Sequence, residues 1–168
     1  MIRIFGAVML VSGCGGFGFL MGMHYRREIR MLKNLLSSLR EMEWELKYRL
    51  TPLPELCGIA AVVSGGTIGE LYLELKNALE TGTCSEISGC MNGLLQTMEI
   101  PCRTAKCLKD LGNSLGRYDL EGQLQGLQAV KVQCHNFLEE LEDHRAERVR
   151  SYQTLGLCAG AALVILFI

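Results

Sequence analysis

The sequence lacks a large net charge and lacks a catalytic motif. Each absence argues against one class of function. Its 17 Lys and Arg nearly balance its 18 Asp and Glu, so the overall charge predicts no nucleic-acid footprint. It contains no P-loop, no G-x-S-x-G motif and no histidine in a recognisable acid–base arrangement. We therefore expect a scaffold or adaptor protein, not an enzyme.

Metal-type cysteine spacing is missing as well. The chain has eight Cys, but none forms a C-x-x-C pair, and the three His show no ligand spacing. We expect no metal and no cofactor, and we interpret the cysteines as small buried hydrophobic residues. A thiol enzyme or redox sensor is the alternative, and it requires a reactive thiol of lowered pKa.

Charge is also absent from a long run near each end of the chain, 4–23 and 151–168, which predicts three parts: residues 1–23, 24–150 and 151–168. The uncharged run 4–23 is long enough to cross a hydrocarbon core of about 30 Å, and 151–168 is near the short limit. Basic residues flank the middle part on both sides: Arg26, Arg27, Arg30, Lys33, Arg145, Arg148 and Arg150. The positive-inside bias then predicts two transmembrane helices and a cytoplasmic domain between them.

Small residues recur within the two apolar runs. The G-x-G-x-x-G string at 13–18 lies inside a hydrophobic run and not between a strand and a helix, so it predicts no dinucleotide site. Small residues spaced four apart instead favour close helix packing in lipid. The positions are Ser12, Gly16, Gly18, Gly22, Gly156 and Gly160.

Export is the alternative interpretation of the N-terminus. Arg3, a short apolar run and Val11-Ser12-Gly13-Cys14 resemble a bacterial lipoprotein signal with Cys14 as the lipidated residue. The protein would then be an extracytoplasmic binding module. Against this, the chain stays apolar for nine residues after Cys14 and then turns basic, which favours an uncleaved anchor.

The middle part shows helical periodicity and no strand alternation, so we predict an all-α domain of about six helices. An apolar stripe marks a first helix that continues the membrane helix: Ile29, Leu32, Leu36, Leu39, Leu46 and Leu50. Glu43 falls on this stripe and should find a basic partner.

Capping signals and breakers divide the rest of the middle part. Thr51 is predicted to cap a second helix that ends near Ser64, and Thr67-x-x-Glu70 reads as a capping box for a third helix ending near Gly82. A weaker helix is predicted at 84–98 and a fifth after Pro101. Gly116 and Asp119 suit the end of that helix and the N-cap of a last one, which runs unbroken into the apolar tail. The acidic group Glu139, Glu140, Glu142 and Asp143 is expected to form a solvated face, with a docking patch as the alternative.

Several of these motifs, in order, carry a family resemblance. They are Glu45, Tyr48, Thr51-Pro52-Leu53-Pro54-Glu55, the string L-G-x-x-L-G-x-x-D-x-x-G-Q at 111–123, and Tyr152-x-x-Leu155-Gly156. Together they resemble the stage III sporulation protein AB family over nearly the whole chain.

The resemblance implies a membrane protein of endospore-forming bacteria, made in the mother cell and placed in its membrane with two spans. It implies a non-enzymatic platform in a secretion-like channel to the forespore, with a cytoplasmic domain similar to type II secretion F-type domains. Its implied partners are an ATPase-like protein, stage III sporulation protein AA, and other channel subunits; a homo-oligomer is left open.

Two regions are hypothesised to contact the partner. The residues are Thr51, Pro52, Leu53, Pro54, Glu55, Gly112, Gly116, Asp119, Gly122 and Gln123. The alternative is that both regions are simply caps and turns, and variants that separate folding from function would decide between the two.

Overall fold

A computed structural model describes the backbone of residues 2–84, 86–116 and 119–167 and the side chains of residues 25–84, 86–116 and 119–143. These residues form six α-helices and no strand. The helices are α1 (Ile2–Tyr48), α2 (Leu53–Ser64), α3 (Gly66–Glu80), α4 (Ile87–Thr97), α5 (Cys102–Ser114) and α6 (Leu120–Phe167). The predicted all-α class is confirmed, as are the unbroken first and last helices.

The two long helices α1 and α6 run antiparallel, and two ion pairs set their register. Lys33 Nζ lies 2.8 Å from Glu142 Oε1, and Lys131 pairs with Glu43. The second pair is half-buried, and it confirms the expected basic partner for Glu43. Because the turns between helices are short, the shorter helices alternate in direction between these two.

The core is built from the inward faces of all six helices, with Leu32, Leu35, Leu39 and Met42 of α1 fully buried along its centre. Tyr72 of α3 is also fully buried, and Ser38 Oγ lies 3.3 Å from its hydroxyl oxygen. Burial raises the pKa of Tyr72, so the phenol stays neutral and serves as a core residue.

Two predicted N-caps are wrong. α2 has Pro52 at its N-cap with no side-chain cap, because the hydroxyl of Thr51 is bonded elsewhere. α3 begins at Gly66 after an N-cap at Gly65, and no side chain caps it. Both glycines have positive φ (57° and 52°). Because α3 already begins at Gly66, Thr67 lies inside the helix and cannot act as its N-cap, so no capping box forms.

The remaining boundaries follow the predictions closely. α3 ends at Glu80, with Gly82 at positive φ just beyond it, and α5 ends at Ser114, with Gly116 in the same conformation. Leu50 is an exception on the first helix, because it lies past the end of α1 with φ 53° and is 66% exposed. The prediction that it belongs to the buried stripe is wrong.

The next feature is the pair of transmembrane helices predicted at the two ends of the chain. Within the part of the chain that the structure describes, no helix is both long and apolar enough to span a bilayer. The predicted spans, residues 1–23 and 151–168, lie outside the described side chains. So do their small residues, namely Ser12, Gly16, Gly18, Gly22, Gly156 and Gly160.

The cysteines divide into two groups. Cys57, Cys107 and Cys134 are buried, as predicted. The prediction is wrong for Cys102, which is exposed, and for Cys84 and Cys90, which form a disulfide beside the start of α4. Two cysteines six residues apart across a turn form no sequence pattern that predicts a disulfide. Cys14 and Cys158 lie outside the described side chains.

Candidate functional site

The two regions singled out from the sequence meet at one end of the bundle. Leu53 opens α2, Ile87 opens α4, and Gly116 follows α5. A Cβ built on Gly116 would overlap the Ile87 side chain and lie 3.8 Å from Leu53 Cδ2. We call this end, formed by residues 49–52, 81–84, 86, 115, 116 and 119, the tip. The structure therefore brings together two regions that are about 60 residues apart in sequence.

A buried carboxylate holds the first region. Glu45 is only 4% exposed. Thr51 donates its hydroxyl to Glu45 Oε2 at 2.6 Å, and Arg49 Nη1 lies 3.3 Å from Oε1. Hydrogen bonds to a charged group are among the stronger ones in proteins. The carboxylate thus closes the turn between α1 and α2, which gives Thr51 a structural role.

The other residues of this region differ in exposure. Pro52 and Glu55 are exposed, whereas Leu53 and Pro54 are half-buried. The carbonyl of Pro52 accepts from the Leu56 amide at 2.9 Å, which starts α2. Glu55 lies in the first turn, where a negative charge is favoured. Pro52 and Glu55 are therefore the members of this region that a partner can reach.

In the second region, two glycines allow close packing and a tight turn that other residues would not. A Cβ on Gly112 would lie 3.0 Å from Met91 Cβ, so α4 and α5 approach closely there. Gly116 has φ 74°, a conformation in which glycine has no steric penalty. Gly112 is buried and Gly116 is exposed at the tip.

The start of α6 completes this region. Asp119 Oδ1 accepts from the Gly122 amide at 3.1 Å, which confirms the predicted N-cap. The Gln123 amide donates to the Asp119 carbonyl at 2.9 Å as the first helical bond. Asp119 is exposed, while Gly122 and Gln123 are half-buried. Most members of the second region thus have a defined folding role.

An exposed apolar group beside the tip was missed by the sequence analysis. Trp44 is 46% exposed, Tyr48 64% and Leu50 66%. Large exposed aromatics next to polar residues are typical of interaction sites. The available signal was that Trp44 and Tyr48 fall off the apolar stripe of α1, where only polar residues are expected.

The buried thiols offer no nucleophile. Burial raises the pKa of Cys57 to about 12. A hydrogen bond with Cys107, together with burial, raises the pKa of Cys134. Such thiols stay protonated at neutral pH and react slowly. No group of three or more His, Cys, Asp or Glu in the described residues could hold a metal ion.

Comparison with known proteins identifies the family. The family model described as Stage III sporulation protein AB (spore_III_AB) matches residues 3–168. The chain belongs to the stage III sporulation protein AB family. A stage III sporulation protein AB of Bacillus subtilis (strain 168) is 24% identical over 169 residues, 99% of this chain and 99% of that protein.

A solved structure of a stage III sporulation protein AB has the same fold. It superposes with a TM-score of 0.62 at 18% sequence identity, covering 72% of this chain and 98% of that one. The family predicted from the motifs at 45–55, 111–123 and 152–156 is confirmed. In this family member, Glu45 and Thr51, two of the residues on which the resemblance was based, contact each other directly.

Proposed function

We propose that this family member is a non-enzymatic platform in the membrane of the mother cell. Two membrane anchors would hold the helical bundle on the cytoplasmic side. The tip would dock an ATPase-like partner, which by analogy with the family is stage III sporulation protein AA, beside other subunits of a channel to the forespore. The whole-chain family match supports the sporulation context.

The observation that carries the proposal is the common level of the two apolar segments. Met23, which ends the first, lies ten residues before Lys33, and Ser151, which begins the second, lies nine residues after Glu142. Lys33 and Glu142 are ion-paired between two antiparallel, unbroken helices. Counted at about 1.5 Å per residue, each apolar segment begins about 15 Å from this pair. Two anchors that start at one level suit a single bilayer.

By the same count, the tip would lie far from the proposed bilayer. Tyr48 follows Met23 by 25 residues in α1, which is about 37 Å of helix. A surface at that distance is accessible to a cytoplasmic protein. We propose that the exposed tip residues Pro52, Glu55, Gly116 and Asp119 contact the partner, while the other members of the two regions hold them in place.

A topology experiment tests the anchors. Protease added outside intact protoplasts of sporulating cells is expected to leave residues 60–140 intact, and carbonate washing is expected to leave the chain in the membrane. Cleavage of the bundle from outside, or release by carbonate, would contradict the proposal. Labelling with palmitate that depends on Cys14 would establish the lipoprotein alternative instead.

The thiols of Cys84 and Cys90 provide a second test of location. Disulfides are rare in a reducing cytoplasm, so acid-quenched cells treated with an alkylating reagent are expected to yield both thiols reduced. The purified protein in air is expected to form the disulfide that the structure contains. A disulfide already present in quenched cells would place the bundle outside the cytoplasm.

A matched pair of variants tests docking at the tip. Glu55→Ala is expected to reduce co-purification of the ATPase-like partner after crosslinking, while the helical circular dichroism stays unchanged. Glu74→Ala removes another exposed carboxylate, from α3, and is expected to have no effect. Equal recovery of the partner with both variants would contradict docking through Glu55.

A further inference from the structure

The solvent-facing side of α1 carries one sign of charge along its whole described length. Side chains at steps of three and four residues share this face, and we call them the α1 stripe. The stripe consists of Arg26, Arg30, Lys33, Ser37, Arg40, Trp44, Lys47 and Tyr48, all exposed. It holds five cations, two aromatic rings and no carboxylate.

Three of the four glutamates in the part of α1 with described side chains lie off this stripe, and Glu41 borders it, four residues after Ser37 and three before Trp44. Glu45 is buried against Thr51, and Glu43 pairs with Lys131. Glu28 and Glu41 are half-buried. Within the described residues, Arg40 and Lys47 form no ion pair. Their charge is therefore available to a ligand.

The distal half of the stripe, Arg40 to Tyr48, combines this charge with aromatic surface. The Trp44 and Tyr48 ring centroids are 5.6 Å apart. Lys47 Nζ lies 5.5 Å from the Tyr48 centroid, and the Arg49 guanidinium lies 5.2 Å from that of Trp44. Trp, Tyr and Arg are the residues most enriched among those that dominate binding energy at protein interfaces.

The two halves of the stripe lie at different distances from the membrane, if the anchors are as proposed above. Arg26, Arg30 and Lys33 lie close to the apolar segment, where basic residues follow from the positive-inside bias. Arg40 lies 17 residues beyond Met23, or about 25 Å along the helix. Headgroups extend roughly 5–8 Å beyond the hydrocarbon, and salt screens charge over about 8 Å. Lipid therefore does not account for the distal half.

We propose that the distal half of the α1 stripe binds an acidic segment of a partner protein. The cations Arg40 and Lys47 require negatively charged carboxylates on the ligand. Trp44 lies between them and Tyr48 lies directly after Lys47, so both rings require apolar side chains next to those carboxylates. The chemistry that fits is a helix or extended segment with Glu or Asp alternating with Leu, Ile or Phe.

The chain carries its own reporter for this binding. Trp44 is the single Trp of the protein and lies within the proposed surface. The full chain in a non-ionic detergent is titrated with a synthetic amphipathic peptide of Glu and Leu, and in parallel with one in which Lys replaces every Glu. The Glu peptide is expected to shift Trp44 emission to the blue and to bind more weakly as salt is raised. The Lys peptide is expected to cause no shift.

Paired charge reversals locate the site while keeping the reporter. Arg40→Glu with Lys47→Glu is expected to weaken the Glu peptide about tenfold or more. Lys106→Glu with Lys109→Glu makes the same change in charge on exposed positions of α5 and is expected to change affinity less than threefold. Circular dichroism monitors folding of both variants, and a second pair, Arg40→Gln with Lys47→Gln, gives an intermediate loss.

Several outcomes would overturn the proposal. Equal binding of the two peptides, or equal loss in both double variants, would exclude a specific acidic ligand. Tighter binding to phosphatidylglycerol vesicles or to duplex DNA would assign the stripe to another polyanion. Self-association that requires the stripe, seen by light scattering without peptide, would assign it to a second copy of this chain.

These outcomes are separable from a failure of the proposed function. The titration in detergent does not depend on topology, so a positive result stands even if the anchors are disproved. Loss of the acidic-peptide signal together with intact, Glu55-dependent recovery of the ATPase-like partner would remove only the present inference.

Discussion

The two turns that meet at the tip solve the same backbone problem with different residues. Each passes through the left-handed region, at Leu50 (φ 53°) in the turn after α1 and at Gly116 (φ 74°) in the turn after α5. Glycine adopts this conformation freely, whereas another L-residue is destabilised by about 1–2 kcal/mol. The first turn is held despite this cost, and the hydrogen bonds from Thr51 and Arg49 to Glu45 are the contacts that hold it.

The comparison shows that the identities of the motif residues in the two turns are fixed by different physical constraints. In the second turn the sequence is constrained by space, because Gly116 faces Ile87 and Leu53. In the first it is constrained by the partners of one buried carboxylate. Neither constraint requires a ligand, so exposed residues that hold neither turn, such as Trp44 and Tyr48 on α1, are the better candidates for binding energy. Four substitutions test this difference.

Gly116→Ala is expected to have the largest effect. The new methyl group meets an unfavourable φ and also forces the end of the Ile87 side chain to move, which together destabilise the fold by about 2–3 kcal/mol. Urea unfolding of the full chain in detergent, followed by circular dichroism, measures the change. Gly89→Ala is the control, because Gly89 lies in α4 with open space around it, and alanine there is expected to stabilise by about 0.5–1 kcal/mol. Equal effects of the two substitutions would remove the steric account.

Glu45→Ala is expected to be next in size. It leaves the Thr51 hydroxyl and Arg49 without their acceptor in a half-buried turn, at a cost of about 1–3 kcal/mol. Thr51→Val in the Glu45→Ala background should add little, since the hydrogen bond is already lost. A double-mutant cycle measured by denaturant unfolding checks this coupling. Additive losses would mean that the two residues act independently.

Asp119→Ala removes the N-cap of α6 and is expected to cost about 1 kcal/mol. Asp119→Asn keeps an oxygen that can accept from the Gly122 amide, so its stability should lie within about 0.3 kcal/mol of the parent. Both are measured by thermal unfolding. If Asn destabilised as much as Ala, charge and not capping would be the source of the effect.

Leu50→Gly is expected to have the smallest effect, and in the opposite direction. Glycine relieves the left-handed strain but adds freedom to the unfolded chain, for a net stabilisation of about 0.5–1 kcal/mol. Leu50 is largely exposed, so little packing is lost. A loss of stability would show that the Leu50 side chain, and not Glu45, holds the first turn.

Much of the fold could be predicted because periodicity and breakers agree along the chain. Pro101, Gly82, Gly116 and Asp119 each mark a boundary that the structure has, and the apolar stripe located the core of α1 as far as Leu46. One prediction that failed, the N-cap of α2, concerns a group with two available partners. Thr51 could cap α2 or bond Glu45, and only the packed turn brings the carboxylate within reach.

The site was less predictable than the fold. Local spacing could not reveal that 51–55 and 112–123 meet, since the contact depends on how four shorter helices fold back between α1 and α6. Trp44 and Tyr48 lie off the apolar stripe of α1, but whether such aromatics are exposed or covered by a neighbouring helix depends on the packing of the whole bundle. The pairing of Cys84 with Cys90 likewise depends on the course of the turn before α4.

The uninterrupted course of α6 has a mechanical consequence. From Leu127 to Leu155 it contains neither Gly nor Pro, the usual causes of a kink. A rod of this kind has no joint at which to absorb a load, so a force applied by a partner at the tip would be carried along its axis as thrust or torque. Work done on one end of the bundle would thereby reach the other end with little loss to bending.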